Sequence, residues 1–344
     1  MPFSNIDKPS KYFNTVTYSG NGVNPTSITS VGFKPDLLWI KCRSNIVSNL
    51  LFDAVRGVSK RLISNSTATE TTETQIASFD TNGWTMDADT ANNGSGRTYV
   101  AWNWLASNTA GSSNTSGTIS STVSANTTSG FSIVTFTYSS GSPTVGHGLG
   151  VAPAIVIVKN RTSDVNNWLT YHKSMGATKA VYLNSTSAEV TSSVFFNNTA
   201  PTSSVFTVSS NLYAADHVAY CFAEVKGFSK FGSYTGNGST DGTFIYTGFK
   251  PAFVLIKQSS GAGEFWTLSD NKRVANYNVT DARLFPNSSN AESSNGAGNI
   301  DFLSNGFKIR NSDAPMNTSS ATYIYMAFAE NPFVSSKGIP TTAR

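Results

Sequence analysis

Internal repetition limits what this chain can fold into more than any other feature, because a strand pattern spelled three times has to build similar local structure three times. Three segments read alike: VGFKPDLLWIKCR at 31–43, LGVAPAIVIVKNR at 149–161 and TGFKPAFVLIKQS at 247–259. Each places a Gly three residues before a Pro, then runs through aliphatic and β-branched residues to Lys41, Lys159 or Lys257. A second segment closes each copy: TYVAWNWLA at 98–106, HVAYCFAEV at 217–225 and YIYMAFAEN at 323–331. Pro35 to Pro153 is 118 residues, and so is Trp104 to Phe222. In the third copy the shifts are 98 at Pro251 and 106 at Phe328, which places about eight extra residues inside it, in the stretch from Asn287 to Asn299.

Weaker echoes lie between. KRLISNST (60–67), AVYLNSTS (180–187) and ARLFPNSS (282–289) correspond, as do FDTNGWTM (79–86) and FLSNGFKI (302–309), with SVFTVSSN (204–211) as a degenerate version. The copies open on NTVTYSGNG, SIVTFTYSSG and FGSYTGNG, where Asn21-Gly22 and Asn237-Gly238 are hairpin-turn signals because both positions tolerate positive φ. Side chains alternate with period two: Val100, Trp102 and Trp104 share a face, as do Val218, Tyr220, Phe222 and Ile324, Met326, Phe328. A bulky face opposite a mixed one predicts a sandwich strand lying over a core. The expected fold is all-β: three tandem homologous β-sandwich domains of roughly 100 residues, each able to bury its own core. Their expected boundaries are 11–106, 129–226 and 227–334, with an N-terminal arm at 1–10 and a Ser/Thr/Gly linker at 107–128 in which TISSTV is a candidate edge strand. A C-terminal tail at 335–344 reads as an arm that orders on a partner.

Composition excludes several alternatives. With 50 Ser, 40 Thr and 33 Asn the chain is too poor in helix formers for long helices, and 12% aromatic residues are too many for disorder. Charged residues make up only 13%, and the net charge of +4 comes from scattered side chains, so nothing tracks a phosphate backbone and no nucleic-acid partner is expected. The longest apolar run, Val151 to Val158, is too short to insert in a membrane. MPFSNIDKPS lacks a signal-peptide core, and two cysteines, Cys42 and Cys221, fit unlinked thiols in a reducing cytosol.

Candidate chemistry is sparse. His147, His172 and His217 occur only in the second copy and read as structural, hydrogen-bonded histidines. Asp87, Asp89 and Asn92 alternate oxygen donors along a turn, the best candidate for calcium, although the pattern lacks the closing Glu of an EF-hand and an Asx-turn explains it too. Arg56, Lys60 and Arg61 form the densest basic spot, suited to an acidic glycan or a subunit. Trp168 and Trp266 are the tryptophans placed to stack on sugar rings, while Trp102 and Trp104 fit a core face. No nucleophile–base or carboxylate pairing is apparent, so no enzymatic activity and no cofactor is expected.

Across nearly its whole length, from about Tyr12 to Arg344, the chain resembles an uncharacterised repeat-domain family of structural proteins in tailed phages, marine ones especially. The resemblance rests on GFKPDLLWIKCR, LFDAVRG, KRLISNST, FDTNGW and YVAWNW in the first copy, and on VGHGLGVAPAIVIVKNR, YHKSMGATKAVYLN and YCFAEVKGFSKFGSYTGNG in the second. YTGFKPAFVLIK and YIYMAFAENPF carry it in the third, together with the ending NPFVSSKGIPTTAR. It implies a virion component made in the host cytoplasm: a tail fibre or spike subunit that attaches to a host-surface glycan, or a capsid decoration or head-appendage protein. The implied partners are other virion proteins and copies of the chain itself, as in the trimers of tail fibres. A glycan-degrading tail enzyme is the rival reading.

Overall fold

The computed structural model describes residues 3–164, 166–274, 278–294, 296 and 298–342. It is nearly all β, with several antiparallel sheets, and its two α-helices among the described residues, Ser193–Phe196 and Ala314–Asn317, are single turns. Three large sheets share a core strand order. In the first, strand Phe13–Ser19 pairs with Thr98–Trp104, which pairs with Leu37–Cys42 and then Leu50–Asp53. The second runs Phe131–Tyr138, Ala215–Phe222, Ile155–Asn160, Leu169–His172. The third runs Ser229–Thr235, Thr322–Pro332, Phe249–Gln258, Thr267–Asp270. Register matches as well: Trp104 pairs with Phe13 and Leu37, Phe222 with Phe131 and Ile155, Phe328 with Ser229 and Phe253.

Each large sheet is backed by a small one, and each such pair is called a lobe below. The small sheets are Thr26–Ile28 with Gly83–Met86 and Ile76–Asp80, Thr144–Gly146 with Val205–Thr207, and Phe244–Tyr246 with Gly306–Ile309 and Ile300–Leu303. The second lacks the third strand because SVFTVSSN has no turn Gly to reverse the chain. Between the paired sheets lie substantial private cores, to which the closing strands contribute Tyr99 and Ala101 in the first lobe, Ala219 and Cys221 in the second, and Tyr323, Tyr325 and Ala327 in the third.

The bulky faces do not lie over these private cores, as the period-two pattern had suggested. Val100, Trp102 and Trp104, their counterparts Val218, Tyr220 and Phe222, and Ile324, Met326 and Phe328 all belong to one central core shared by the three lobes. Trp104, Phe222 and Phe328 meet at its centre. Their ring centroids are 6.1, 5.8 and 5.9 Å apart, with interplanar angles of 65°, 70° and 62°. Three equivalent positions in mutual edge-to-face contact mark a local threefold axis. Edge-to-face geometry suits aromatic quadrupoles, and each pair adds about 0.5–1.5 kcal/mol beyond its area burial. A 100-residue sandwich with a bulky apolar face pointing outward cannot keep that face dry alone, so the lobes depend on one another.

The connecting segments follow. The stretch 107–128 is no loose linker: Ser112–Asn114 and Ser121–Asn126 extend the second large sheet. At the chain ends, Ile6 is buried in the shared core, and Ser336 donates from its amide and hydroxyl to Asp7 at 2.7 and 2.5 Å. The described part of the tail thus has a contact within its own chain. Asn21-Gly22 and Asn237-Gly238 turn the chain from a large sheet to a small one instead of closing hairpins. Both glycines have φ of +68°, and the turns are held by Asn93 Oδ1 and Asn317 Oδ1, which accept from the amides of Asn21 and Asn237.

Candidate functional site

The side chains singled out in the sequence fall mostly into the seams between lobes. The seams are cyclic: the same contacts run from the second lobe to the first, the first to the third, and the third to the second. Lys159 Nζ donates to Thr67 O at 2.7 Å, Lys41 Nζ to Ser289 O at 3.0 Å and Lys257 Nζ to Thr186 O at 3.3 Å. The three acceptors occupy the same place in NSTATE (65–70), NSSNAE (287–292) and NSTSAE (184–189). The Glu that ends each motif bonds through its amide to the neighbouring lobe: Glu70 to Arg161 O, Glu292 to Arg43 O and Glu189 to Ser259 O, each at 2.8 Å. Burial pushes all three lysines down to about 8, yet each keeps two or three carbonyl acceptors.

Arg56 is therefore no surface cation. Its guanidinium is fully buried, 2.5 Å from Asp53 Oδ2 and 2.9 Å from Glu70 Oε2. Burial alone would lower its pKa, and Asp53, Tyr220 and Glu70 overcome that and raise it. Glu70 also takes Arg161 from the second lobe at 2.8 Å, and these cations hold its carboxyl below the usual range against its own burial. Lys60 donates to Thr72 Oγ1, and Arg61 is occupied by Gln75 and Glu73. The basic spot in the sequence is a seam and its rim.

Trp168 and Trp266 are 0% and 4% exposed, which removes them as sugar platforms. Each indole N–H crosses a seam: Trp168 Nε1 donates to Ile63 O and Ser66 O, and Trp266 Nε1 to Tyr182 O. Asn49 takes that position in the first lobe, donating to Phe285 O and Ser288 O. In the calcium candidate, Asp89 Oδ1 accepts from Ala91 N and Asn92 Nδ2 donates to Gln75 O, an Asx-turn that locks the sheet corner. Asp87 lies on the same turn, its amide donating to Gln75 O. No group of three or more His, Cys, Asp or Glu suited to a metal occurs among the described residues. The histidines are buried and their pKa values fall on that account, His172 to about 4. Cys42 and Cys221 are buried, unlinked thiols.

Among the described residues, two surface openings are roomy enough for a sugar-sized ligand. A cleft of about 370 Å³ lies where the N-terminal segment, the second-to-third connection and the C-terminal segment meet, lined by Phe3, Glu224, Lys230, Tyr246, Thr247 and Phe333. Phe3 and Tyr246 on its walls are 59% and 60% exposed. Glu224 is held between Lys173 and Lys230, and these cations lower its pKa against its burial. Little in the amino-acid pattern points to this cleft, since Phe3, Glu224 and Phe333 on its walls are each more than 100 residues from the next. A shallower groove of about 280 Å³ crosses the extended edge of the second sheet. The shared core itself encloses only about 20 Å³, too tight for anything beyond a water molecule.

The fold and its seams define an all-β body of three lobes closed around one core. The chain belongs to a domain family of unknown function, DUF7483, whose match spans residues 8–332 and so takes in all three lobes. No curated protein and no solved structure matches it.

Proposed function

We propose that this chain is a non-enzymatic virion structural protein on the outside of a phage particle, a tail fibre or spike subunit that attaches to a host-surface glycan. We further infer that its lobes are tandem copies of one unit that now form a trimer within a single chain. The matched strand orders, the cyclic seams and the aromatic triangle support the second statement. The observation that carries the first is the terminal cleft. Two exposed aromatic side chains, Phe3, with Lys226 Nζ 5.7 Å over its ring, and Tyr246, flank charged groups together with Thr247 and Ser229, the mixture of flat apolar surface and polar groups that suits a sugar ring. Lobes locked through buried lysines and ion pairs would hold that cleft in one shape, which lowers the ordering cost of binding.

A capsid decoration role is the second reading, favoured by the local threefold axis, because a three-lobed body fits a threefold position in a shell. Antibody labelling of intact particles separates the two: label on tails supports the fibre, and label confined to capsid faces supports decoration. Absence from purified particles overturns both. Glycan attachment is tested with Tyr246→Ala, which is expected to weaken binding to host cells at least tenfold while leaving the melting temperature within a few degrees.

A further inference from the structure

We propose that the groove on the second sheet is a separate carbohydrate site, shaped for an extended, uncharged oligosaccharide. Its ligand class rests on the attachment reading above; its location does not. The floor is a sheet face with two parallel polar rows. One row runs across strands through Ser113, Thr122 and Thr135, which are direct cross-strand partners. The other runs through Arg161, Asp216 and Thr137, where Arg161 N bonds to Asp216 O and Asp216 pairs with Thr137, and Ser120 continues its line. Neighbouring strands lie about 4.8 Å apart, so each row offers a polar group at regular steps.

Three observations point to a ligand rather than to idle surface. First, the same face carries Ile133 and Val218 into the shared core and then emerges at Thr135 and Thr122, where hydroxyls replace the apolar series. Secondly, the hydroxyls of Ser113, Ser120, Thr122 and Thr135 donate to no acceptor among the described residues, whereas Thr137, Asp216 and Arg161 of the second row are fixed. Thr137 Oγ1 donates to Asp216 Oδ1 at 2.6 Å, and Arg161 is clamped on Glu70 by two bonds of 2.9 and 2.8 Å. Thirdly, the strands that widen the groove, Ser112–Asn114 and Ser121–Asn126, belong to the second lobe alone. The framework common to the lobes closes without them, so the addition calls for its own reason. A carboxylate opposite free hydroxyls disfavours an acidic chain and accepts from the hydroxyls of a neutral one.

The test uses the whole chain on an array of neutral and acidic oligosaccharides, followed by titration calorimetry with the strongest neutral binder. Thr122→Val with Thr135→Val removes two hydroxyls at near-constant volume on an exposed face, and Tyr246→Ala reports on the terminal cleft. The expected result is at least a tenfold loss of affinity in the double variant and less than a twofold change in Thr81→Ala, a substitution on an exposed turn of the first lobe. A loss in Tyr246→Ala without one in the double variant assigns the binder to the terminal cleft and overturns the groove. A neutral binder that ignores the double variant overturns the groove and leaves glycan attachment standing. Binding only of acidic chains overturns the ligand class, and an array with no binder overturns the groove and the attachment reading together.

Discussion

Two of the three seams are closed by buried ion pairs, while in the third neutral groups take the places of the aspartate and of both arginines. In the seam between the first and second lobes, Asp53 holds Arg56 at 2.5 Å, accepts from Tyr220 at 2.7 Å and stands beside Glu70. In the seam between the third and first, Asp270 holds Arg273 at 2.6 Å, accepts from Trp102 at 3.0 Å, and Glu292 completes the set with Arg43. In the seam between the second and third, the corresponding residues are His172, Met175 and Met326, with Ser259 in place of the outer arginine. His172 can stand in for Asp because its Nδ1 accepts from Ser174 N at 3.1 Å, as Asp53 Oδ1 and Asp270 Oδ1 accept from the amides just after them. Its Nε2 then donates to Tyr325 O. A neutral imidazole cannot balance a buried guanidinium, so aspartate and arginine are replaced together.

The comparison breaks most visibly at the buried pairs. Asp53→Ala or Asp270→Ala leaves a buried guanidinium without its nearest carboxylate and is expected to cost about 3–5 kcal/mol in urea unfolding. Replacing both partners by the residues of the third seam, as in Asp53→His with Arg56→Met, is expected to recover most of that loss. If the double variant were as unstable as Asp53→Ala, charge balance would not be the reason the seams differ.

Acid sharpens the comparison next. His172 has a folded pKa of about 4 against 6.5 when free, lowered by burial first and by Lys173. Its contribution is present above pH 6.5 and is lost as pH falls toward 4, because the unfolded chain takes the proton first. Between pH 7 and pH 5 that amounts to about 2 kcal/mol. Asp36, raised to about 6 by burial, works the other way below that pH, so a global melt mixes the two. Hydrogen exchange should instead show Leu169–His172 losing protection at pH 5 before Leu50–Asp53 and Thr267–Asp270 do. His172→Asn is expected to remove the difference.

The buried lysines give a smaller effect common to all three seams. Each is less readily protonated folded than unfolded, so stability rises as pH climbs from about 8 toward 10.5. The Cys221 thiol, raised by burial, opposes this above pH 9, which makes pH 8 to 9 the window to measure. Lys41→Met, Lys159→Met and Lys257→Met should each flatten the rise by about a third. At pH 7 each should cost only about 1–2 kcal/mol, since the orphaned carbonyls are offset by removal of a buried charge.

Much of this framework was legible in the sequence. The Gly-x-x-Pro strands, the closing strands and the three lysines sit at the expected places, because period two and the copy spacing report directly on backbone geometry. What covers each face was not legible. Alternation at Val100, Trp102 and Trp104 shows that one side is apolar, and a private sandwich core or two neighbouring lobes would satisfy it equally. Arg56, Trp168 and Trp266 misled for a related reason: residue type suggests a surface role, whereas partners such as Asp53, Glu70 and Tyr182 come from chain folding. One signal was available: a Glu follows the Asn-Ser motif at the same distance in each copy, at Glu70, Glu189 and Glu292, and a repeated carboxylate implies a repeated partner.

The smallest expected effect asks whether the neutral seam can be given back a missing part. Glu189 bonds Ser259 O through its amide, as Glu70 and Glu292 bond Arg161 O and Arg43 O, but its carboxylate pairs with Lys179 of its own lobe. Ser259→Arg would place a guanidinium where Arg43 and Arg161 lie, and those two are about one fifth exposed, so the new side chain has a route to solvent. The gain is limited to the size of a partly exposed pair, about 0.5–1 kcal/mol, because Lys179 already neutralises Glu189 and salt screens what is left. The inner position tells the opposite story. Met175→Arg would bury a guanidinium against neutral His172 and is expected to destabilise the chain by more than the outer arginine stabilises it. Urea midpoints for the two variants at low and high salt decide the matter. A stabilising Met175→Arg would mean that the third seam lacks its inner ion pair for some reason other than the histidine.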